Sequence, residues 1–491
     1  MTKPSLEFPL VLEHGTGEPL QVLVGDAIRA AILEGRLLAG ARLPATRDLA
    51  QQLGVARGTI VSAYEQLAGE GYLRGQRGAG SFVSDRLPDE WLIPKRRAVQ
   101  ERKPRTARLS ARGAALARTR FPAALPGAPR PFLPYTAAVE IFPRERWARL
   151  VARHARLTHA ARFRDQDPRG YAPLREALAE YLRVFRGVRC DADRVLIVQG
   201  VHQALDLVAR LLLDRGDATW IEDPGYFGAR RILEAADLEL IPIPVDRAGL
   251  DVERGITIAP HARLAYATPG HQAPLGTTLS LERRMRLLNW ADRNGAWIFE
   301  DDYDSEFRYE GRPPVALQGL DDRGVVVHAG TLSKVMFPGL RLSYLVVPEA
   351  LVEPFAAAIS LLHRYVPLVL QAAAADFIAT GDLGRHIRRA RAVYAERRES
   401  IVCALRSELS GEVRLSETSC GMQVLVHLLR DVSDRAVCRA AIAAGMEMLP
   451  LSKFAIRPRR RGGLVLGFAA VDSARTRSAV SLLRQIFRSL R

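Results

Sequence analysis

The chain has 491 residues, 48% of them hydrophobic, with a formal charge of +17, enough apolar length for two domains with separate cores. No apolar run long enough for a membrane span occurs, and the first twenty residues lack a basic stretch followed by an apolar one, so neither a span nor a leader is expected and the chain is read as cytoplasmic. Cys190, Cys403, Cys420 and Cys438 lie far apart without Cys-x-x-Cys spacing, which argues for reduced thiols and against zinc, other metals or a disulfide framework.

In chain order, "PLQVLVGDAIRAAILEGRL" places Leu20, Leu23, Val24, Ala27, Ile28, Ala31 and Ile32 at helical spacing and stops at Gly35. "LPATRDLAQQLG" predicts a short helix with Leu49 and Leu53 inward, and "VARGTIVSAYEQLAGEGYL" a second with Ile60, Tyr64 and Leu67 inward. Two such helices about a glycine turn form a helix-turn-helix, whose second helix fits the major groove of DNA. "GYLRGQRGAGSFVS" then predicts two short strands around a glycine-rich tip, a wing from which Arg74 and Arg77 can reach phosphate or minor groove.

The positive charge is not spread evenly. Residues 1 to 85 carry eight basic and nine acidic side chains, whereas residues 95 to 130 carry eleven basic ones and Glu101 as the one acid. That Arg-, Ala- and Pro-rich stretch lacks a sustained apolar face and is read as a linker, either solvated or laid along another surface. Alternating strand and helix patterns resume near residue 145 and run to the end, predicting a large α/β domain. The expected divisions are 18–86, a basic linker over 87–134, and 135–491.

Within the large domain, Lys334 follows the strand-like "GVVVHA" and a loop of small and hydroxyl residues, and Arg341 comes seven residues later. Upstream, "GAWIFEDDYDSEFRY" ends a hydrophobic strand on a carboxylate cluster. Strand-end residues of an α/β sheet converge on one crevice. A lysine amine, a carboxylate and a phenol gathered there suit pyridoxal phosphate: the lysine forms a Schiff base and the carboxylate keeps the pyridine nitrogen protonated. "VLIVQGVHQALDLVARLLL" supplies a strand, a turn at Gly200 and a helix start able to hold phosphate, with Ser333 and Arg341 adding a hydroxyl and a charge.

Residues 20 to 84 resemble the winged-helix domain of the GntR family of bacterial regulators in "LPATRDLA", "GVARGTIVSAYEQLAGEGYL" and "GAGSFV". That resemblance assigns Arg47, Arg57, Thr59, Arg77 and Gly78 to DNA contact. Residues 135 to 485 resemble fold type I aminotransferases of class I and II. By this resemblance Lys334 carries the internal aldimine, Asp301 pairs with the pyridine nitrogen and Tyr303 bonds the ring oxygen. Tyr226 stacks on the ring, and Gly200, Val201, His202, Ser333 and Arg341 hold the phosphate. The fusion is similar to the MocR subfamily of GntR regulators, through "DPRGYAPLREALAEYL", "TPGHQAPLG", "EDDYDSEFRY" and "GTLSKVMFPGLRLSYLVVP". It implies a head-to-tail homodimer that binds a double-stranded DNA operator and responds to an amino compound or to pyridoxal phosphate.

Three departures from the aminotransferase pattern stand out. Where an Asn-Pro-x-Gly element usually contacts the ring oxygen, "TPGHQAPLG" offers His271 or Gln272. Val465 occupies the place of the substrate-carboxylate arginine, with Arg457, Arg459, Arg460 and Arg461 nearby, and Asp165 stands where relatives place a tyrosine reaching the partner's phosphate. These favour a regulator, which needs only to bind, over the alternative of a working aminotransferase with an accessory winged helix, which must orient a substrate carboxylate. A winged helix that only assembles the dimer is a third reading, at odds with the placement of Arg47, Arg57 and Arg77.

Overall fold

The computed structural model describes residues 19–76, 80–85, 87, 108–118, 127–156, 166–311, 314–416, 419–458 and 461–490, and the chain divides into two compact units between Arg108 and Leu109. In the first, helices α1 (Leu20–Leu33), α2 (Thr46–Leu53) and α3 (Arg57–Gly69) precede strands β1 (Leu73–Gln76) and β2 (Gly80–Val83). Gly54 closes α2 in the left-handed region, φ 65°, where a side chain would be strained. Most inward positions read from spacing are buried, Ile28, Leu49, Ile60, Tyr64 and Leu67 sharing one core with Val24, Leu43 and Val83, whereas Leu23, Ala27 and Leu53 are half-buried and Leu20, at the first turn of α1, is exposed. The two strands pair antiparallel from Leu73↔Val83 to Gln76↔Gly80, which makes the expected wing.

In the second unit a short helix, α4 (Ala111–Arg118), forms inside the stretch read as linker, its start held by the Ser110 hydroxyl accepting from the Gly113 amide. Helices α5 (Arg144–Arg156) and α6 (Ala172–Arg186) lead into the alternation β3 (Val195–Val198), α7 (Val201–Leu212), β4 (Ala218–Asp223), α8 (Phe227–Ala235), β5 (Glu239–Asp246), β6 (Gly249–Leu250), α9 (Val252–Ile258), β7 (Leu264–Ala267), α10 (Leu281–Asn294), β8 (Trp297–Asp302), β9 (Val326–Thr331) and β10 (Ser343–Val346). The sheet order is β3-β10-β9-β8-β7-β4-β5-β6. From β9 to β5 all pairings are parallel, while β10 runs against both neighbours. Helices cover both faces, so β3, β7, β9 and β10 are nearly continuous apolar runs buried on each side.

The remainder is α11 (Val352–Leu362), α12 (Leu368–Ala379), the long α13 (Asp382–Leu409), β11 (Val413–Leu415), β12 (Gln423–Leu428), α14 (Asp434–Ala443), β13 (Leu449–Pro450), β14 (Gly463–Gly467) and α15 (Ser473–Ser489). Its four strands form an antiparallel sheet, β11-β12-β14-β13. The Phe132 carbonyl accepts from the Gly467 amide at 2.9 Å, so the segment before residue 135 is tied to this sheet. Among the described residues no helix is long and apolar enough to cross a membrane.

Candidate cofactor site and DNA-binding face

Along one edge of the large sheet the carboxyl ends of β3, β4, β8 and β9 open into a cleft of about 530 Å³. Gly200, Val201 and His202 follow β3, Tyr226 follows β4, Asp301 and Tyr303 come from the end of β8, Ser333 and Lys334 follow β9, and Arg341 precedes β10. Nine of the ten residues expected from sequence to hold the cofactor therefore line one cleft. His271 is not among them. It is buried behind Tyr303, with Nδ1 2.6 Å from an Asp304 oxygen and 3.3 Å from the Tyr303 hydroxyl.

Lys334 donates from Nζ to the Tyr135 carbonyl at 2.7 Å. Burial pushes its amine down to about 8, against the pull of Asp304 and Asp301 and with a further push from Arg341. A far larger share of that amine is therefore uncharged and nucleophilic near neutral pH than in an exposed lysine, though the protonated form still predominates there. Asp301 accepts from the Tyr266 hydroxyl at 2.6 Å. Burial raises its carboxyl to about 6, which the Tyr266 bond and Lys334 oppose, and among the described residues it has no ion-pair partner. A cationic ring nitrogen is the group such a carboxylate lacks.

At the β3 end, Gly200 sits at φ 145°, and a Cβ there would stand 2.7 Å from Nη2 of Arg341. Glycine thus lets the guanidinium lie against the backbone at the first turn of α7. Arg341 has no acidic partner at ion-pair distance among the described residues, and with the helix amides and the Ser333 side chain it makes an anion cradle. His202 bonds the Tyr226 hydroxyl at 2.8 Å, and burial, then Arg341 and Lys334, push its imidazole down to about 4. A neutral His202 bridges this cradle to the phenol without adding charge.

Neither His271 nor Gln272 reaches the cleft as expected for a ring-oxygen contact. Glu222 accepts from the Thr268 amide and hydroxyl and from the Gln272 amide, pinning the turn, and the remaining Gln272 bonds go to the Pro224 and Ala273 carbonyls and the Leu275 amide. Ala273 lines the cleft instead. The sequence reading also passed over Tyr135 and Tyr266. Asp304, the last aspartate of that carboxylate cluster, is fully buried and exerts the strongest upward pull on the Lys334 pKa. Asp165, Arg459 and Arg460 lie outside the described residues.

In the first unit, Arg47 and Arg57 are exposed in the first turns of α2 and α3, and Thr59 is half-buried one residue before the inward Ile60. Arg57 Nε donates to the Thr46 hydroxyl at 3.4 Å, bringing the two helix starts together. Arg74 is engaged elsewhere, in an ion pair with Asp85 at 2.5 Å, because the hairpin brings the chain back beside it. Arg77 and Gly78 lie outside the described residues.

Residues 137–483 match the class I and II aminotransferase family, and residues 20–83 match the gntR family of bacterial regulatory proteins. The chain is 39% identical to the probable rhizopine catabolism regulatory protein MocR of Rhizobium meliloti, across 98% of this chain and 96% of that protein. It is 32% identical to the pyridoxine biosynthesis transcriptional regulator PdxR of Corynebacterium glutamicum, across 95% of each. Kynurenine aminotransferase of Pyrococcus horikoshii matches with a TM-score of 0.67 at 26% identity, over 73% of this chain and 91% of its own. The protein is a DNA-binding regulator whose second domain has the fold type I aminotransferase architecture. The chain belongs to the MocR-type GntR transcriptional regulators, and its cofactor is pyridoxal 5'-phosphate. The buried amine, the Asp301 carboxylate at the cleft wall and the Gly200–Arg341 cradle fit that group.

Proposed function

We propose that the large unit senses a small amino compound, or pyridoxal phosphate itself, through Lys334, and that the occupied state alters how paired winged helices fit DNA. The supporting observation is that one chain carries both a lysine-centred cleft and a helix-turn-helix with arginines in its first turns. When bound, the cofactor supplies a carbon at which one primary amine exchanges for another. Lys334 provides the resident amine and recovers its hydrogens when an incoming amine takes its place. Asp301 would keep the ring nitrogen charged, Tyr303 would donate to the ring oxygen, and Tyr226 would cover the ring face. Gly200, Val201, His202, Ser333 and Arg341 hold the phosphate. His271 acts through Tyr303 and not on the ring.

On the DNA side, Arg57 and Thr59 read base edges in the major groove, Arg47 fixes the backbone, and Arg77 and Gly78 supply the wing contact. The protein works in the cytoplasm as a head-to-tail homodimer reading paired half-sites. The sensing reading is favoured over turnover because Val465 stands where a transaminase would orient a substrate carboxylate. Selection of bound genomic fragments by the cofactor-loaded protein, with Arg57→Ala as control, tests it. A repeated half-site that the variant loses supports a regulator. Salt-sensitive, sequence-independent binding alone would contradict it.

A further inference from the structure

We infer that the effector is a primary amine whose body carries no carboxylate, an inference that rests on the amine-sensing reading above. Two basic side chains line the cleft among the described residues, Lys334 and Arg341. Lys334 is the cofactor's anchor in that reading, and Arg341 lies against Gly200 at the anion cradle. His202 does not replace them, since burial leaves its imidazole uncharged at neutral pH.

Another stretch of the wall is formed by Tyr135, Phe227 and Leu449, which share an apolar cluster with Leu425, Leu451, Phe454 and Val465. Val465 is 0% exposed in the middle of β14, opposite Leu425 on one side and Leu449 on the other. Lys453 and Arg231 approach the Phe227 ring, 4.3 and 5.8 Å from its centroid, but neither lines the cleft. An ionised carboxylate set against this wall would lose its water and gain no counter-charge from the described residues that form it, whereas an uncharged hydrocarbon or ring body would gain from leaving water.

The test titrates full-length, cofactor-loaded protein with matched probes and follows its visible absorbance: 2-phenylethylamine against L-phenylalanine, and cyclohexylamine against L-cyclohexylglycine. In each pair the amine is expected to bind at least about tenfold more tightly. Val465→Arg should reverse the order, and Leu449→Arg, at a half-buried place on the same wall, gives the same reversal if the buried substitution does not fold. Equal or tighter binding of the amino acids by the wild type overturns the inference and leaves amine sensing standing, as does a folded arginine variant that still prefers amines. No absorbance change with any probe on cofactor-loaded protein overturns the amino-compound branch of the sensing reading, and the inference with it, and leaves pyridoxal phosphate as the sensed molecule.

Discussion

The amine of Lys334 donates to the backbone carbonyl of Tyr135 at 2.7 Å, across 199 residues of sequence. The bond ties the turn after β9 to the segment that enters the large unit, and it holds the amine in the cleft beside Asp301. Lys334→Ala is therefore expected to abolish the visible absorbance of the lysine-bound cofactor while leaving a folded protein that still binds DNA. Spectra after incubation with pyridoxal phosphate check this, and a retained band would show that another amine carries the cofactor.

Burial holds the Lys334 amine at about 8, below its ordinary 10.5. Between those values the unfolded chain keeps a proton that the folded chain has shed, so this residue's contribution to stability rises with pH from about 8 to about 10.5 and is least below 8. The difference in denaturation midpoint between cofactor-free wild type and Lys334→Met should change in that window. The rate of cofactor loading should climb with pH through the same lower value.

Gly200→Ala puts a methyl group 2.7 Å from the Arg341 guanidinium and forces a side chain to φ 145°. Strain of about 1–3 kcal/mol is expected, together with a weaker hold on phosphate as Arg341 is displaced. Cofactor affinity should drop about tenfold or more with a modest fall in melting temperature. Affinity at the wild-type value would remove the cradle from the account.

Arg57→Ala should cost about 1–3 kcal/mol on the cognate site and much less on random DNA, as for a base contact. Arg47→Ala should weaken both alike and lower the slope of affinity against salt by about one. Competition binding at several salt concentrations separates the two, and equal losses for Arg57→Ala would make it a phosphate contact.

Much of this was readable from sequence because the needed signals are local. Helical spacing marked Ile60, Tyr64 and Leu67, and the cleft residues sit in short motifs at strand ends, where folding brings them together without further information. What escaped depends on contacts between distant segments. Tyr266 meets Asp301 because β7 and β8 pair with Ala267 opposite Glu300, a register no single motif reveals. Tyr135 contributes a carbonyl, which leaves no side-chain signature. His271 was expected in the cleft, but Glu222, about fifty residues earlier in the chain, pins the turn and leaves Ala273 facing it. Arg74 meets Asp85 for a similar reason: the hairpin register sets Arg74 opposite Phe82 and carries the following residues back beside it.

In the proposed function the state of Lys334 is coupled to DNA reading. That coupling is tested most directly by measuring affinity for a selected operator fragment with and without pyridoxal phosphate, in wild type and in Lys334→Ala. A change of at least about fivefold is expected in the wild type and none in the variant. Equal affinities in the wild type, with cofactor binding confirmed by absorbance, would contradict it.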